Sequence, residues 1–372
     1  MTIWKPMAFS EEIIMNYNKP TLSVMSLADS VKGQGVGSAY CEQLNLIEER
    51  LEGQYDIQKN KMRNGEITHY HSINFRYYLH ALLNSKKTVR VASVHFIPET
   101  LEGSITLPAW MKKIFYWYIL EFYKSMDHLV TVNPMFIDKM EALGFDRRNI
   151  SYIPNFVSRE QFHKVSADEK KEIRKNYGYS ESDFVVLGVG QIQTRKGIMD
   201  FVEVAKACPK IKFVWAGGFS FGKITDGFEA LNQVVNNPPD NVCFLGIVDR
   251  SEMNAIYNMA DTMFLPSYSE LFPMTVLESM SVGIPIVLRD LDLYKNILFD
   301  YYLYSDDNDA FISLIKKLSS DDDFFRSWAN QSRKGSDFYS RDTVGEMWEI
   351  FYKKMLHLES SVGYEKKTKA YY

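Results

Sequence analysis

Cysteine is scarce in this chain. Cys41, Cys208 and Cys243 are far apart and odd in number. That excludes a disulfide framework and a cysteine metal site, and it points to a reducing compartment. Long apolar runs are also missing: no stretch reaches the ~18 uninterrupted apolar residues of a membrane span. Residues 1–19 carry Glu11 and Glu12 where a signal peptide would have a basic region and an apolar run, so none is expected. Neither charge sign dominates, with 43 Lys+Arg against 47 Asp+Glu and a net charge of -4. A strongly basic nucleic-acid binder is thereby excluded. No internal repeat or low-complexity block occurs.

What is present is core-forming material. A length of 372 residues and a hydrophobic content of 46% suit two globular domains. Residues 51–150 hold 13 Lys+Arg against 10 Asp+Glu, whereas residues 151–372 hold 26 against 31. The small basic excess of the first half hints at an anionic partner there. Short apolar runs alternate with helical patterns along the chain, with turn-forming residues at the run ends. This alternation predicts a doubly wound α/β architecture.

The most informative stretch runs from Met263 to Leu288. An apolar strand ends at Pro266-Ser267, a polar loop carries Glu270, and Pro273 suits the first turn of a helix. Gly283 fits just past the helix end, and Ile284 to Leu288 read as the next strand. The free N–H groups of residues 272–275, around Phe272, Pro273 and Met274, would form an anion site favoured by the helix dipole. Glu278 lies two turns into the helix, so a diphosphate on the helix N-terminus would sit between two hydroxyl-binding carboxylates.

Glu270-x7-Glu278, set within Pro-Ser-x-x-Glu-x-Phe-Pro and followed by Gly-Ile-Pro, resembles the signature of the retaining GT-B glycosyltransferases of family 4. The resemblance covers residues 20–355 and is most specific in the second half. It implies a GT-B fold: a Rossmann-like acceptor and membrane-facing domain over residues 1–157, a nucleotide-sugar donor domain over 158–339, and a helix near 340–372 that crosses back. It implies hexose transfer without a metal ion and without a cofactor beyond the donor, UDP-glucose or UDP-galactose. Glu270 would position the hexose and Glu278 the ribose. Gly35, Val36 and Gly37, in the glycine-rich turn opening the first helix, would lie near the donor diphosphate. His95, at the C-terminal end of a strand, would contact the donor sugar, whereas His69 and His71 alternate on a strand and read as structural.

In the second half, Gly190-Gln191-Ile-Gln-Thr-Arg195-Lys196-Gly197 follows a buried strand and reads as a phosphate loop. Lys196 would offset charge on the departing diphosphate. Family members usually carry Arg where this chain has Gln191, and Arg195 is the candidate substitute. Backbone groups around Ile247 would meet the nucleobase, as the family implies. Asp290-x-Asp292 has two carboxylates and no further ligand, too few for a metal site.

Seven aromatic residues crowd the fourteen positions from Trp110 to Tyr123, beside Lys112, Lys113 and Lys124. Trp110, Trp117 and these lysines suit a helix lying on an anionic membrane surface; the plain alternative is a core helix. Gly33-Gln-Gly-Val-Gly-Ser, the His95–Ser104 segment and Phe213–Gly222 are similar to the short glycolipid synthases of low-GC Gram-positive bacteria. These add a second hexose to monoglucosyl diacylglycerol. That likeness implies a cytoplasmic enzyme, peripheral on the inner face of the cell membrane. A polysaccharide or polyprenyl-linked acceptor, or a non-catalytic sugar-nucleotide-binding subunit, stays open at this stage.

Overall fold

The computed structural model describes residues 19–27, 35–63, 65–84, 86–98, 108–219, 222, 225–270 and 272–368. They form two six-stranded parallel sheets. The first contains β1 (Thr21–Met25), β2 (Asp56–Lys59), β3 (Ile67–Tyr70), β4 (Val89–Val94), β5 (His128–Thr131) and β6 (Ile150–Tyr152). Its order is β2-β1-β3-β4-β5-β6. Its helices are α1 (Gly35–Leu51), α2 (Phe75–Leu83), α3 (Ala109–Lys124) and α4 (Met135–Ala142). After α5 (Ala167–Asn176) come β7 (Val185–Val189), β8 (Lys212–Ala216), β9 (Val242–Gly246), β10 (Thr262–Leu265), β11 (Ile286–Arg289) and β12 (Leu303–Ser305). The second order is β12-β11-β10-β7-β8-β9. Around it lie α6 (Ile198–Lys206), α7 (Phe228–Asn236), α8 (Met253–Met259), α9 (Met274–Val282), α10 (Asp292–Lys295), α11 (Asn308–Ser320) and α12 (Asp322–Phe338).

Two Rossmann-like units result, as the alternating pattern predicts. Fully buried runs such as Val185-Val186-Leu187 account for the parallel sheets, whose strands are covered on both faces. The final helix, α13 (Arg341–Thr368), returns to the first sheet. Its Val344, Trp348, Phe351, Tyr352 and Met355 share a core with Leu22, Ile67, Val91 and Leu46.

The strand order reverses direction at β1 in the first sheet and between β7 and β10 in the second. Such switch points open a crevice beyond the strand C-termini, where ligands bind in this architecture. Two local readings are corrected. Gly35, Val36 and Gly37 are the first residues of α1 rather than a turn before it; the preceding segment, 28–34, lies outside the described residues. Pro273 is the N-cap of α9, not its first turn, because its ψ of 122° is extended. Pro273 has no capping side chain, so among the described residues the Met274 and Thr275 amides are left without a cap, while the Val276 N–H already donates to the Pro273 carbonyl at 3.1 Å. Gly283 ends α9 in the left-handed region at φ 80°, as expected.

Candidate active site

The loops after β7 and β10 flank the second switch point, and a glycine lets them touch. Gly197 has φ 70°, and a Cβ there would lie 2.3 Å from the Pro266 carbonyl oxygen. Any side chain would push the loops apart. The close approach brings Lys196 Nζ to 2.5 Å from Glu270 Oε1, with Arg195 Nη1 3.9 Å from Oε2. The Lys196 and Glu270 side chains are 10% and 7% exposed, so this is a buried ion pair. Burial acts to raise the Glu270 carboxyl, but Lys196 and Arg195 outweigh it and hold its pKa below the ordinary value. Burial also pulls the Lys196 ammonium below its usual value, with Glu270 opposing.

The same loop packs against β8. Gly217 has φ 141°, and a Cβ on it would meet the Gly190 carbonyl oxygen at 1.9 Å. The stem of Lys196 lies over Gly190. Gln191 accepts a hydrogen bond from Gln193 Nε2 at 2.8 Å. Arg195 Nη1 donates to the Ser269 carbonyl at 3.1 Å, while its buried Nε has no partner among the described residues. A guanidinium thus stands beside Glu270.

Phe272 is buried against the Tyr339 ring, with centroids 5.3 Å apart, and it fixes the start of α9. Besides the Met274 and Thr275 amides, the buried Thr275 hydroxyl has no partner among the described residues. Backbone amides and a hydroxyl gathered at a helix start are groups suited to an anion. Glu278 is deeply buried. Its Oε1 accepts from Arg250 Nη1 at 2.8 Å and its Oε2 from the Tyr257 hydroxyl at 2.5 Å. Arg250 also donates to Glu42 of α1 at 3.1 Å, so Glu278 is tied across the cleft to the first unit. Ile247 follows β9 with 62% exposure, an apolar side chain held out at a strand end.

His95 follows β4. Burial pushes its imidazole down to about 4, and its buried Nε2 has no partner among the described residues. Beside it is a small cavity lined by Tyr40, Ser93, His95, Asn155, Phe156 and Trp348. Asn155 reaches from there toward the Phe272 carbonyl, at 3.5 Å, linking the His95 region to the start of α9. Asp290 and Asp292 both pair with Lys295, and among the described residues no cluster of acidic, histidine or cysteine side chains is suited to a metal.

Sequence reasoning missed Arg250 and Tyr257, whose link to Glu278 spans 28 and 21 positions of chain. It also missed Tyr294, which is fully buried and whose hydroxyl has no partner among the described residues. Burial, and after it the charge of Glu270, push that phenol well above its ordinary value.

On the outer face of the first unit, α3 exposes Trp110, Met111, Ile114 and Trp117, with Trp110 at 66%. Lys113 and Lys124 are exposed there and Lys112 is half-buried. Helix α2 packs beside α3, the Tyr78 and Tyr118 rings meeting at 5.8 Å. It exposes Phe75, Leu79, Leu82 and Leu83, the last at 80%. Large apolar side chains on two neighbouring helices thus form one exposed patch.

Residues 58–161 match the family described as Glycosyltransferase Family 4, and residues 169–335 match Glycosyl transferases group 1. The alpha-galactosylglucosyldiacylglycerol synthase of Streptococcus pneumoniae strain R6 is 40% identical over 93% of this chain and 92% of its own length. The chain belongs to glycosyltransferase family 4. The processive diacylglycerol alpha-glucosyltransferase of Acholeplasma laidlawii is 27% identical over 60% of this glycosyltransferase and 70% of the relative. The crystal structure of Anabaena HepE in complex with UDP and glucose superposes with a TM-score of 0.72 at 13% identity, covering 90% of this chain and 99% of that one. That likeness fixes the GT-B fold. The protein is therefore a hexosyltransferase built on two facing Rossmann-like units, and among its described residues no helix is long and apolar enough to cross a membrane.

Proposed function

We propose that this glycosyltransferase moves a hexose from UDP-galactose or UDP-glucose to monoglucosyl diacylglycerol, with retention, forming an α-linked diglycosyl diacylglycerol. The observation that carries the reading is the 40% identity, along nearly the whole chain, to a protein named for galactosylglucosyldiacylglycerol synthesis. The site chemistry supports it. The donor diphosphate sits on the Met274 and Thr275 amides, with Lys196 and Arg195 beside it to stabilise charge as UDP departs. Glu270 and His95 hold the hexose, Glu278 the ribose, Ile247 the base, and the first turn of α1 at Gly35, Val36 and Gly37 closes on the phosphates. The acceptor hydroxyl attacks the anomeric carbon from the face that the diphosphate leaves, and a departing phosphate oxygen takes its proton. No enzyme nucleophile and no metal is assigned.

The donor unit is residues 158–339, and the acceptor unit is residues 1–157 with α13. The enzyme works peripherally on the inner face of the membrane. The α3 side chains Trp110, Lys112, Lys113, Trp117 and Lys124 lie on anionic lipid, joined by the apolar face of α2. Residues 74–87 and 108–124 hold six Lys+Arg (76, 86, 87, 112, 113, 124) against one acid, Glu121, outside the undescribed position 85, which is serine. This basic, aromatic surface complements a negatively charged bilayer.

Transfer of radiolabelled hexose from each UDP-sugar to monoglucosyl diacylglycerol in anionic mixed micelles tests the proposal. Diacylglycerol and a soluble sugar serve as controls. Labelled diglycosyl lipid from one donor is expected. Donor hydrolysis without lipid product would redirect the acceptor to a polysaccharide or polyprenyl-linked sugar, and no turnover would point to another nucleotide sugar or a non-catalytic subunit.

A further inference from the structure

Beneath His95 lies a chain of buried polar side chains that the proposed chemistry does not use. The Tyr352 hydroxyl of α13 is 2.8 Å from His69 Nδ1. His69 Nε2 is 3.0 Å from Ser93 Oγ, which is 3.2 Å from His71 Nδ1. All four residues are buried. Burial holds His69 down to about 3 and His71 well below its ordinary value, so both rings are neutral and each carries one proton.

Proton counting then gives the chain a direction. Starting at Tyr352, the phenol donates to His69 Nδ1, His69 Nε2–H donates to Ser93, and the Ser93 hydroxyl donates to His71 Nδ1. Three of the four hydrogens are used, and one N–H remains, on His71 Nε2. In the opposite direction both the Tyr352 proton and the His71 Nε2 lone pair are left unmatched inside the protein. Unpaired buried polar groups are costly, so the first direction wins. His71 Nε2 has no partner among the described residues, and by this count it is a donor.

His95 is its complement. The two rings are 6.2 Å apart. A backbone hydrogen bond to His71 favours a proton on the His95 ring, and His95 Nε2 has no partner among the described residues. With the proton on Nδ1, Nε2 is an acceptor. Two neighbouring strand ends therefore present one unmatched donor and one unmatched acceptor. The cavity of about 20 Å³ beside His95, lined also by Ser93, has room for one hydroxyl or one water.

We infer that His71 is a sugar-binding and specificity residue that shares one donor-hexose hydroxyl with His95: His71 Nε2–H donates to the hydroxyl oxygen, and the hydroxyl proton goes to His95 Nε2. Ser93, His69 and Tyr352 are positioning residues that hold His71 in the required tautomer. The inference rests on the reading that His95 faces the donor hexose.

The test has a binding arm and a spectroscopic arm. In the first, the parent UDP-hexose and its 2-, 3-, 4- and 6-deoxy analogues are compared in wild type, His71→Phe and His71→Gln. His71→Phe is expected to lower kcat/KM for the parent 10–100-fold, with partial recovery in His71→Gln, whose amide donates. With one deoxy analogue, wild type and His71→Phe should perform equally, because the shared hydroxyl is gone. An unchanged His71→Phe penalty across every analogue would overturn the inference in favour of a packing role or a resident water. Should His71→Phe fail to fold, Tyr352→Phe removes one oxygen at the head of the chain; a several-fold drop in kcat/KM at unchanged Tm is expected, and no drop counts against the proposal. In the second arm, ¹⁵N NMR of the histidine rings should show His71 protonated at Nε2 and His95 at Nδ1. The opposite tautomer at His71 overturns the inference even if no UDP-hexose is turned over, which separates its failure from that of the proposed function.

Discussion

At the residue scale, the decisive object is the Lys196–Glu270 pair. Removing one member of a buried ion pair leaves an uncompensated charge and costs about 3–5 kcal/mol. Lys196→Met is therefore expected to lower Tm clearly, and kcat/KM for the UDP-sugar by about 10²–10³, the scale on which a lost anion-stabilising donor is felt. The double variant Lys196→Met/Glu270→Gln should recover much of the stability and none of the activity. Thermal melts and donor kinetics on the three proteins check this; restored turnover in the double variant would sink the catalytic roles. Both residues were legible in the sequence because each sits in a loop just past an apolar strand, flanked by the Gly197 and Phe272-Pro273 markers. The partners of Glu278 were not. Arg250 and Tyr257 reach it from the loop before α8 and from α8 itself, and no local pattern encodes a contact made by tertiary packing. His71 was read as structural because its alternation with His69 fits a strand. The protonation pattern that sets it apart depends on Tyr352, 281 positions away along the chain numbering (352 − 71).

At the element scale, α3 and α9 were legible and α2 was not. Helix α3 announced itself by aromatic density, and α9 by its Phe-Pro start and Gly283 stop. Helix α2 is apolar on both faces, with Tyr77 and Ala81 inside and Phe75, Leu79 and Leu83 outside, so it shows no two-sided pattern. Its one local signal was Asn74, whose side chain caps the helix by accepting from the Arg76 N–H at 2.9 Å. The exposed residues 75, 76, 79, 82 and 83 follow helical spacing and make a single stripe beside that of α3. If this pair lies on lipid, Leu79→Ser/Leu82→Ser/Leu83→Ser should weaken co-sedimentation with phosphatidylglycerol-rich vesicles at least as much as Trp110→Ala/Trp117→Ala. Lys112→Gln/Lys113→Gln should cost about 2 kcal/mol, some 30-fold, at low salt and progressively less as salt rises. Equal binding by the leucine variant and wild type would confine the contact to α3.

At the scale of the whole molecule, two parallel sheets followed from the alternation of strands and helices, but their strand orders did not. Order is fixed by which crossover packs on which face, and β1 and β7 become switch points through those crossovers alone. The units are joined by α13, whose Trp348 and Tyr352 pack on the first sheet, and by Arg250, which pairs with both Glu42 and Glu278. The α13 contact buries histidines, and that gives the assembly an acid sensitivity. Burial lowers His69 to about 3, His95 to about 4 and His128 to about 4, with His71 well below normal. The unfolded chain binds protons at these groups below about pH 6.5, while the folded chain does not until about pH 4. Stability is therefore fully present above pH 6.5 and is lost as pH falls toward 4, at up to about 1.4 kcal/mol per pH unit for each histidine. Glu270, held low by Lys196, acts in the same sense further down, and Glu42, raised by burial, acts in the opposite one. Tm should be level from pH 8 to 7 and decline below 6.5. His128 is the residue to isolate, because it contacts Ser151 and the Phe351 ring rather than His95. His128→Gln should flatten the decline of Tm between pH 6.5 and 5 while leaving kcat/KM at neutral pH unchanged. An equally steep decline in that variant would show that His128 does not contribute to the acid sensitivity.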